Sequence, residues 1–280
     1  MKADLTLIVG ASGTVGSELA RLLKAQGERV RLTTSQEIAP GETEKVRVDL
    51  STGAGVEKAF EGVTKAFLLS PPGYADQYKI LSPLIRQAQK HGLKKVVLMT
   101  AMGVNANDAN PFRRAELELE ASGLDFHILR PNWFFQNFNT FWIQGMREQG
   151  KILVPAGTAK TSFIDARDIS EVAAKLLMGA TAPRALDLTG PQALDHDDVA
   201  AEISRASGAK IVYQEITPEA FRSAFVKAGV PADYVEVLLA IFGFLREGYQ
   251  APVTTSVKDL LGREPRDLKT YAADFRASWI

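Results

Sequence analysis

Short apolar runs rich in β-branched residues alternate with longer stretches in which apolar residues recur every three or four positions. The short runs predict strands over residues 5–9, 29–34, 45–49, 64–70, 94–100 and 125–130. The longer stretches predict helices over residues 14–26, 77–92 and 111–123. Apolar strands separated by helices indicate a parallel sheet that is covered on both faces. The first half of the chain therefore has the pattern of an α/β fold with a doubly wound sheet.

The pattern becomes less regular after residue 131. Residues 133–146 predict an aromatic-rich helix, and residues 162–179 predict a strand followed by a helix. Shorter elements with different spacing follow from about residue 180. We therefore predict a nucleotide-binding domain over residues 1–180, with an aromatic, substrate-facing segment over 131–150, and a smaller C-terminal α/β substrate lobe over 181–280.

Three glycines separate the first predicted strand from the first predicted helix, at Gly10, Gly13 and Gly16. In a dinucleotide-binding loop the first glycine allows a tight turn, the second allows a pyrophosphate to approach the backbone, and the third allows close packing of helix on strand. The helix N-terminus then offers N–H groups to the phosphates. The position of the triplet, between an apolar strand and an amphipathic helix, predicts a Rossmann-type coenzyme site.

The end of the second predicted strand bears on the choice of coenzyme. Sites for NAD usually place a carboxylate there for the ribose 2′-hydroxyl. Here Thr33, Thr34 and Ser35 occupy that place and Glu37 follows later. We expect NADP(H) as the coenzyme, with NAD(H) kept as an alternative. Asp49, after the third strand, is placed either to bind the adenine amino group or simply to begin a loop.

Composition narrows the class of partner. Lys and Arg total 33 and Asp and Glu total 33, which disfavours a nucleic acid or an anionic membrane as partner because both attract basic surfaces. The chain has no cysteine, so thiolate chemistry is excluded. No apolar stretch approaches the length of a membrane span, and we see no signal peptide. We predict a cytoplasmic monomer or homodimer that acts on a small molecule, with no metal site.

Five stretches together resemble the NmrA-like atypical short-chain dehydrogenase/reductase family, close to its azo, quinone and triphenylmethane dye reductases and its agroclavine dehydrogenase-type reductases. They are GASGTVG, AFLLSPP, VVLMTAMG, LRPNWFFQNF and LLGREPRDLKTYAADF. The resemblance implies contacts along the whole coenzyme. Its adenosine half would contact Thr33, Thr34 and Ser35 at the ribose and Asp49 and Leu50 at adenine, and its pyrophosphate would contact Gly10, Ser12, Gly13, Thr14 and Val15. Its other half would contact Ser70 and Pro71 near the middle of the coenzyme, Thr100, Ala101 and Met102 at the nicotinamide ribose, and Pro131, Asn132 and Trp133 at the carboxamide.

The stretch NPFRRAELELE, residues 110–120, lacks the usual proton donor of short-chain reductases. Those enzymes carry a tyrosine four residues before a lysine, and no such pair exists in this chain. Arg114 lies near the place of a lysine found in the related isoflavone reductases, but arginine does not exchange protons at neutral pH. Arg114 is placed either to hold a phosphate or a substrate oxygen or to be a solvated helix residue, and we favour the solvated interpretation. We predict no catalytic side chain.

The missing proton donor limits the class of hydride acceptor. A quinone, an azo or triphenylmethane dye, or an iminium ion takes hydride without prior protonation, whereas an ordinary ketone does not. Aromatic rings suit such flat molecules. The candidate substrate residues are Phe134, Phe135, Asn137, Phe138, Phe141, Trp142 and Phe163, and the alternative for each ring is an ordinary place in the core.

Two functions fit this pattern. The first is an NADPH-dependent reductase of an electron-poor small molecule. The second is a non-catalytic NADP-binding regulator that senses redox state, as some NmrA-like proteins do. The aromatic segment favours the reductase, while the missing tyrosine and lysine disfavour a sugar epimerase or dehydratase.

Overall fold

A computed structural model describes residues 4–280 of the chain and divides it into two compact units. The first unit comprises residues 4–72, Asp76–Pro131 and Ile169–Asp187. The second comprises Gly73–Ala75, Asn132–Asp168 and Leu188–Ile280. This division differs from the expected boundary at residue 180, because the aromatic segment falls in the second unit and the last strand of the main sheet returns to the first.

The first unit is built on a seven-stranded sheet. Its strands are β1 Leu5–Ile8, β2 Arg29–Thr34, β3 Lys45–Arg47, β4 Lys65–Leu68, β5 Lys95–Met99, β6 Phe126–Pro131 and β8 Ala185–Leu188. They lie in the order β3-β2-β1-β4-β5-β6-β8, and the pairings among β1 to β6 are parallel. The order reverses between β1 and β4, which is the switch point at which ligands bind in such sheets. The predicted doubly wound Rossmann-type sheet is confirmed.

Helices cover the sheet of the first unit. They are α1 Thr14–Ala25, α2 Val56–Phe60, α3 Gln77–Lys90, α4 Pro111–Glu120 and α6 Ala166–Leu177, the last beginning in the second unit. Apolar residues of α2, α3 and α4 form one cluster with alternate residues of the strands. α1 packs with α6, where the buried Ser170 Oγ donates to the Val15 carbonyl oxygen at 3.0 Å.

The second unit has its own elements and its own core. It contains a 3-10 turn over Phe135–Asn139, α5 Ile143–Gln149, β7 Lys151–Val154, α7 His196–Ser207, β9 Val212–Glu215, α8 Pro218–Lys227, α9 Ala232–Arg246, α10 Ser256–Leu261, α11 Leu268–Asp274 and a final 3-10 turn over Arg276–Trp279. β7 and β9 pair in parallel as a two-stranded sheet. A separate hydrophobic cluster, rich in aromatic rings, fills this unit.

Two predicted elements differ from the structure. The aromatic stretch 133–146 is not a continuous helix, since a 3-10 turn is followed by Thr140 with φ −130° and ψ −85° before α5 begins. The strand predicted at the start of 162–179 forms only isolated bridges, Phe134 with Ile164 and Thr161 with Leu194. In both places tertiary packing of buried side chains overrides the local pattern.

The C-terminal tail is fastened inside the second unit by a buried carboxylate. Asp168 is fully buried and accepts hydrogen bonds from Arg263 Nη2 and from the Arg266 backbone N–H, both at 2.7 Å, and from the Arg266 guanidinium. The Trp279 indole N–H donates to the Phe138 carbonyl oxygen at 2.9 Å. The LLGREPRDLKTYAADF stretch therefore has a structural role here. Across residues 4–280, no helix combines the length and the apolar character that crossing a bilayer requires.

His196 is the first residue of α7 and lies in the aromatic core of the second unit. Asp195 caps this helix and forms a capping box with Asp198. The His196 ring is fully buried among the rings of Phe138, Phe163 and Tyr213, at centroid distances of 5.3–6.0 Å. Neither ring nitrogen has a hydrogen-bond partner among the residues that the structure describes. Burial lowers the pKa of His196 to about 4 from its ordinary 6.5.

We therefore expect the second unit to lose stability on mild acidification. The unfolded chain protonates His196 at a higher pH than the folded chain does, so this stabilisation is complete above pH 6.5 and declines as the pH falls towards 4. The loss amounts to roughly 3 kcal/mol. Denaturant titrations of wild type and His196→Phe over this pH range test it. The variant should show a shallower decline, and equal slopes for the two proteins would contradict the assignment.

Candidate functional site

The turn between β1 and α1 is held by Gly10. Its φ of +72° is a conformation that favours glycine, and an added Cβ would lie 2.7 Å from Leu69 Cδ1. The Gly10 N–H donates to Thr33 Oγ1 at 3.1 Å, and the Gly10 carbonyl oxygen accepts from the Gly13 N–H at 3.0 Å. The turn is therefore fixed both to itself and to the neighbouring strand β2.

Gly16 brings α1 close to that turn. A Cβ on Gly16 would lie 2.3 Å from the Gly10 carbonyl oxygen and 2.9 Å from Ala11 Cα, distances that backbone atoms do not tolerate. A Cβ on Gly13 would lie 3.3 Å from the same oxygen, which a small shift relieves. The third glycine of the triplet is therefore the one required by packing.

The N-terminus of α1 is open to a ligand. Its cap residue, Gly13, provides no side-chain hydrogen bond, and the first turn has no acidic residue. Ser12, Gly13 and Thr14 are exposed, whereas Val15 is buried. Four other helices, by contrast, are capped by their own side chains, those of Asn110, Asp195, Thr217 and Asp267. The free N–H groups and the helix dipole at α1 fit a pyrophosphate.

The three hydroxyl residues expected at the adenosine ribose have different environments. Thr33 is buried, and its hydroxyl accepts from Gly10 N and donates to the Ile8 carbonyl oxygen at 3.4 Å. This hydroxyl therefore joins β1 and β2, and the contact of Thr33 with the adenosine ribose stays a prediction. Thr34 accepts from the Gln36 N–H at 3.1 Å and is half-buried, and Ser35 is exposed. These two remain candidates at the strand tip.

Asp49 begins a loop and caps it. Its carboxylate accepts from Ser51 N at 2.9 Å and Ser51 Oγ at 2.6 Å, and from Thr52 N at 3.3 Å. Hydrogen bonds from Ser51, and then from Thr52, hold the pKa of Asp49 below its ordinary value. Leu50 is half-buried and packs on the apolar cluster of the first unit. A depression of about 360 Å³ lies at this loop, lined by Arg47, Asp49, Ala54 and Gly55.

The ends of β4, β5 and β6 carry the residues expected near the nicotinamide end. Ser70 and Pro71 follow β4 and are half-buried. Ala101 and Met102 follow β5, and the Met102 N–H donates to the Pro131 carbonyl oxygen at 3.0 Å. The structure thus brings the predicted residues of β5 and β6 together at one edge of the sheet.

Helix α4, formed by the NPFRRAELELE stretch, contributes a buried ionic cluster. Glu116 is fully buried and accepts from Arg130 Nε at 2.9 Å and Nη2 at 2.7 Å, a bidentate pair. Arg113 Nη1 adds a bond of 3.0 Å. The Thr100 hydroxyl donates to Glu116 Oε1 at 2.7 Å. The cluster locks the end of β5 to α4 and to β6.

The Glu116 side chain is an ionised carboxylate, so it has no proton to donate. Burial by itself raises the pKa of the Glu116 carboxyl, but hydrogen bonds from Arg130 and Thr100 outweigh it and keep the pKa below its ordinary value. The Thr100 proton points at this carboxylate, so the hydroxyl is already committed. Arg114 is exposed, with its guanidinium 4.0 Å from the centroid of the Tyr78 ring. The solvated interpretation of Arg114 therefore agrees with its exposure.

Two predicted coenzyme residues belong to the second unit. Asn132 is buried, and its Nδ2 donates to Ser162 Oγ and to the Gln250 carbonyl oxygen, both at 2.8 Å. Its Oδ1 accepts from Trp133 N at 2.9 Å. The Asn132 side chain is thus fully used within its own unit. The half-buried Trp133 ring packs at 5.6 Å from Trp142 and 5.1 Å from Phe242.

The predicted substrate residues divide by burial. Phe135, Phe138, Trp142 and Phe163 are buried members of the hydrophobic cluster of the second unit, so the core interpretation describes these four rings. Phe134 and Asn137 are half-buried, and Phe141 is 48% exposed. Only these last three offer surface to a ligand among the seven.

Sequence reasoning missed Glu116 and Arg130. A signal was present in both cases, since Glu116 shares the buried face of α4 with Ala115 and Leu119, and Arg130 lies near the end of the buried, mostly apolar strand β6. A charge on a buried face requires a buried partner. The pairing of these two residues could have been proposed on that ground.

Comparisons with known proteins agree with this architecture. Residues 10–179 match the family model described as NAD(P)H-binding. The chain is 31% identical to an uncharacterised oxidoreductase, YesF, of Bacillus subtilis, over 100% of this chain and 98% of the relative. It is 30% identical to an NAD(P)H azoreductase of Xenophilus azovorans, over 98% and 100%.

Solved structures share the fold at lower identity. The NADPH complex of an NADPH-dependent quinone oxidoreductase from Escherichia coli matches with a TM-score of 0.81 at 20% identity, over 96% of this chain and 99% of that one. NmrA, a negative transcriptional regulator in complex with NAD, matches with a TM-score of 0.75 at 16% identity, over 99% and 96%.

The glycine loop gives a matched pair of variants. Gly16→Ala should abolish tight binding of NADP⁺ and destabilise the fold, because its Cβ meets the Gly10 carbonyl oxygen at 2.3 Å. Gly13→Ala should retain the fold and weaken binding moderately, because its contact is 3.3 Å. Calorimetric titration and thermal unfolding measure both effects. A Gly16→Ala protein with wild-type affinity would contradict the proposed phosphate loop.

Glu116→Gln should lower the free energy of unfolding by roughly 3 kcal/mol, because it removes the bidentate carboxylate partner of the buried Arg130 guanidinium, while Arg113 keeps Glu120 and Asp108. The control is Glu118→Gln on the same helix, whose partner Arg86 is 68% exposed. That change should cost less than about 1 kcal/mol. Urea denaturation compares the two, and similar losses would show that the Glu116 cluster is not a special constraint.

Proposed function

The chain belongs to the NAD(P)H-binding family, as an NmrA-like atypical short-chain reductase, and it is an NAD(P)H-dependent reductase; from this premise we propose that it reduces an electron-poor small molecule with NADPH. The coenzyme, when bound, supplies the hydride. The residues of this chain bind and orient, and no side chain serves as the general acid. The acceptor classes we propose are quinones, azo dyes, triphenylmethane dyes and iminium ions.

The observation that carries this proposal is the state of the Glu116 cluster. The first unit has, on the helix where a short-chain reductase keeps its acid, a carboxylate that Arg113 and Arg130 hold ionised. The nearby Thr100 hydroxyl is engaged with that carboxylate. An ordinary ketone needs a proton as hydride arrives, because an alkoxide would otherwise form. An electron-poor acceptor avoids this requirement.

We assign the binding of the coenzyme to the carboxyl edge of the sheet in the first unit. The open N-terminus of α1, with Ser12, Gly13 and Thr14 exposed, supports the pyrophosphate position. Thr34 and Ser35 at the β2 tip carry no charge that would repel a 2′-phosphate, which supports NADP(H) over NAD(H).

We assign contacts with the acceptor to the second unit at Phe134, Asn137 and Phe141. These are the predicted substrate residues that keep accessible surface. The exposed Phe141 ring provides a flat apolar face, and Asn137 provides an amide that can donate or accept. The buried rings of Phe135 and Phe138 pack against Phe163 in the core of the same unit, with centroid distances of 5.8 and 5.3 Å.

We expect the purified protein to oxidise NADPH in the presence of a quinone, an azo dye, a triphenylmethane dye or a cyclic iminium ion, and to leave simple ketones unreduced. Absorbance of the reduced nicotinamide follows the reaction. Because no protein acid delivers a proton in the transition state, the solvent deuterium isotope effect with a cationic acceptor should be close to unity. Rapid ketone reduction, or a large solvent isotope effect with that acceptor, would overturn the proposal.

A second outcome of the same experiment identifies the alternative. Tight binding of NADP⁺ without turnover of any acceptor would favour the regulator that senses redox state. The fold shared with NmrA is compatible with it, since one fold serves both functions.

A further inference from the structure

Arg47 ends the edge strand β3 with an exposed side chain. Among residues 4–280, no side-chain hydrogen bond or ion pair to its guanidinium is found. Its neighbours are engaged: Lys45 pairs with Glu42, Lys24 with Glu44, and Arg31 donates to the carbonyl oxygens of Ala59 and Glu61. A cation that its own unit leaves available is a candidate for binding an anion from solution.

We propose that Arg47 determines coenzyme specificity by binding the 2′-phosphate of the NADPH adenosine. The inference rests on the proposed function, and it adds a residue on β3 to the strand-tip residues Thr34 and Ser35 of β2. The end of β2 itself has no arginine, because Thr33, Thr34 and Ser35 occupy it.

The pairing of β3 with β2 places Arg47 next to the tip of β2. Arg47 is the partner of Thr34 in the parallel pairing of β2 with β3, and the following Val48 N–H donates to the Thr34 carbonyl oxygen at 2.9 Å. Paired strands lie about 4.8 Å apart. The 2′-oxygen of the adenosine ribose is bound at the tip of the second strand in this fold. The Cα of Arg47 is thus one strand away from the tip at which the 2′-phosphate would lie.

The surrounding loop provides space and little competing charge. Arg47 and Asp49 line the depression of about 360 Å³, together with Ala54 and Gly55. The Asp49 carboxylate is turned into its own loop by Ser51 and Thr52, so it does not pair with Arg47. Gly55 closes the loop on the strand, since a Cβ there would lie 2.2 Å from the Arg47 carbonyl oxygen.

Chemistry favours a phosphate as the ligand. A guanidinium offers several N–H donors in a plane and binds phosphate oxygens in a bidentate manner, which a lysine does not reproduce. Glu37 lies beyond the β2 tip in an exposed position, and Glu42 and Glu44 are engaged with lysines. The strand tip itself therefore presents hydroxyls and one free arginine.

The test is the ratio of affinities for 2′,5′-ADP and 5′-AMP, measured by calorimetry on wild type, Arg47→Ala and Arg47→Lys, with Lys45→Ala as the matched control. Arg47→Ala should weaken 2′,5′-ADP binding about 10- to 100-fold and leave 5′-AMP binding unchanged. Arg47→Lys should recover part of the loss. Lys45→Ala, two residues earlier on the same strand, should leave the ratio as in wild type.

Kinetics with an electron-poor acceptor provide the second measurement. Arg47→Ala should raise KM for NADPH by a similar factor, with kcat unchanged and KM for NADH unchanged. An unchanged ratio of the two affinities would overturn the inference. Equal losses for both nucleotides would also overturn it, because they would place the guanidinium on adenine. The nucleotide titrations need no turnover, so they decide the role of Arg47 even if every acceptor fails.

Discussion

The close approach of α1 to the turn after β1 is the constraint on which the rest of the structure depends. Gly16 has no room for a side chain beside the Gly10 carbonyl oxygen, and Gly10 in turn donates to the Thr33 hydroxyl of β2. The contact between Gly16 and Gly10 therefore fixes the direction of α1, and the hydrogen bond from Gly10 to Thr33 fixes the end of β2 relative to β1. Ser12, Gly13 and Thr14 are exposed at this turn, and within residues 4–280 no side chain caps the helix.

The Glu116 cluster is a second constraint, and it bears on chemistry. A buried carboxylate is tolerated only with partners that satisfy it, and here Arg130, Arg113 and Thr100 do so. The same contacts that stabilise the ionised form remove a proton donor from this part of the first unit. The satisfaction of this buried charge and the acceptor class that we propose are thus connected through one arrangement of side chains.

Most rings of the aromatic segment pack in the core of the second unit. Phe138 and Phe163 close around His196, and the C-terminal Trp279 bonds back to the Phe138 carbonyl oxygen. Asp168 fastens the tail through Arg263 and Arg266. Among the candidate substrate residues of this segment, Phe134 and Asn137 are half-buried and Phe141 is exposed.

The sequence by itself determined the Rossmann-type sheet, the glycine loop and the NAD(P)H-binding class, because these depend on local periodicity and on residues adjacent in the chain. Tertiary structure alone decided which polar groups are free. Thr33, Thr100 and Asn132 looked available for a ligand, yet each hydroxyl or amide is engaged by a group 16 or more residues away. Arg47 looked unremarkable, yet strand pairing sets it beside Thr34. Hydrogen-bond partners and strand neighbours are contacts between distant segments, so only the folded chain reveals them.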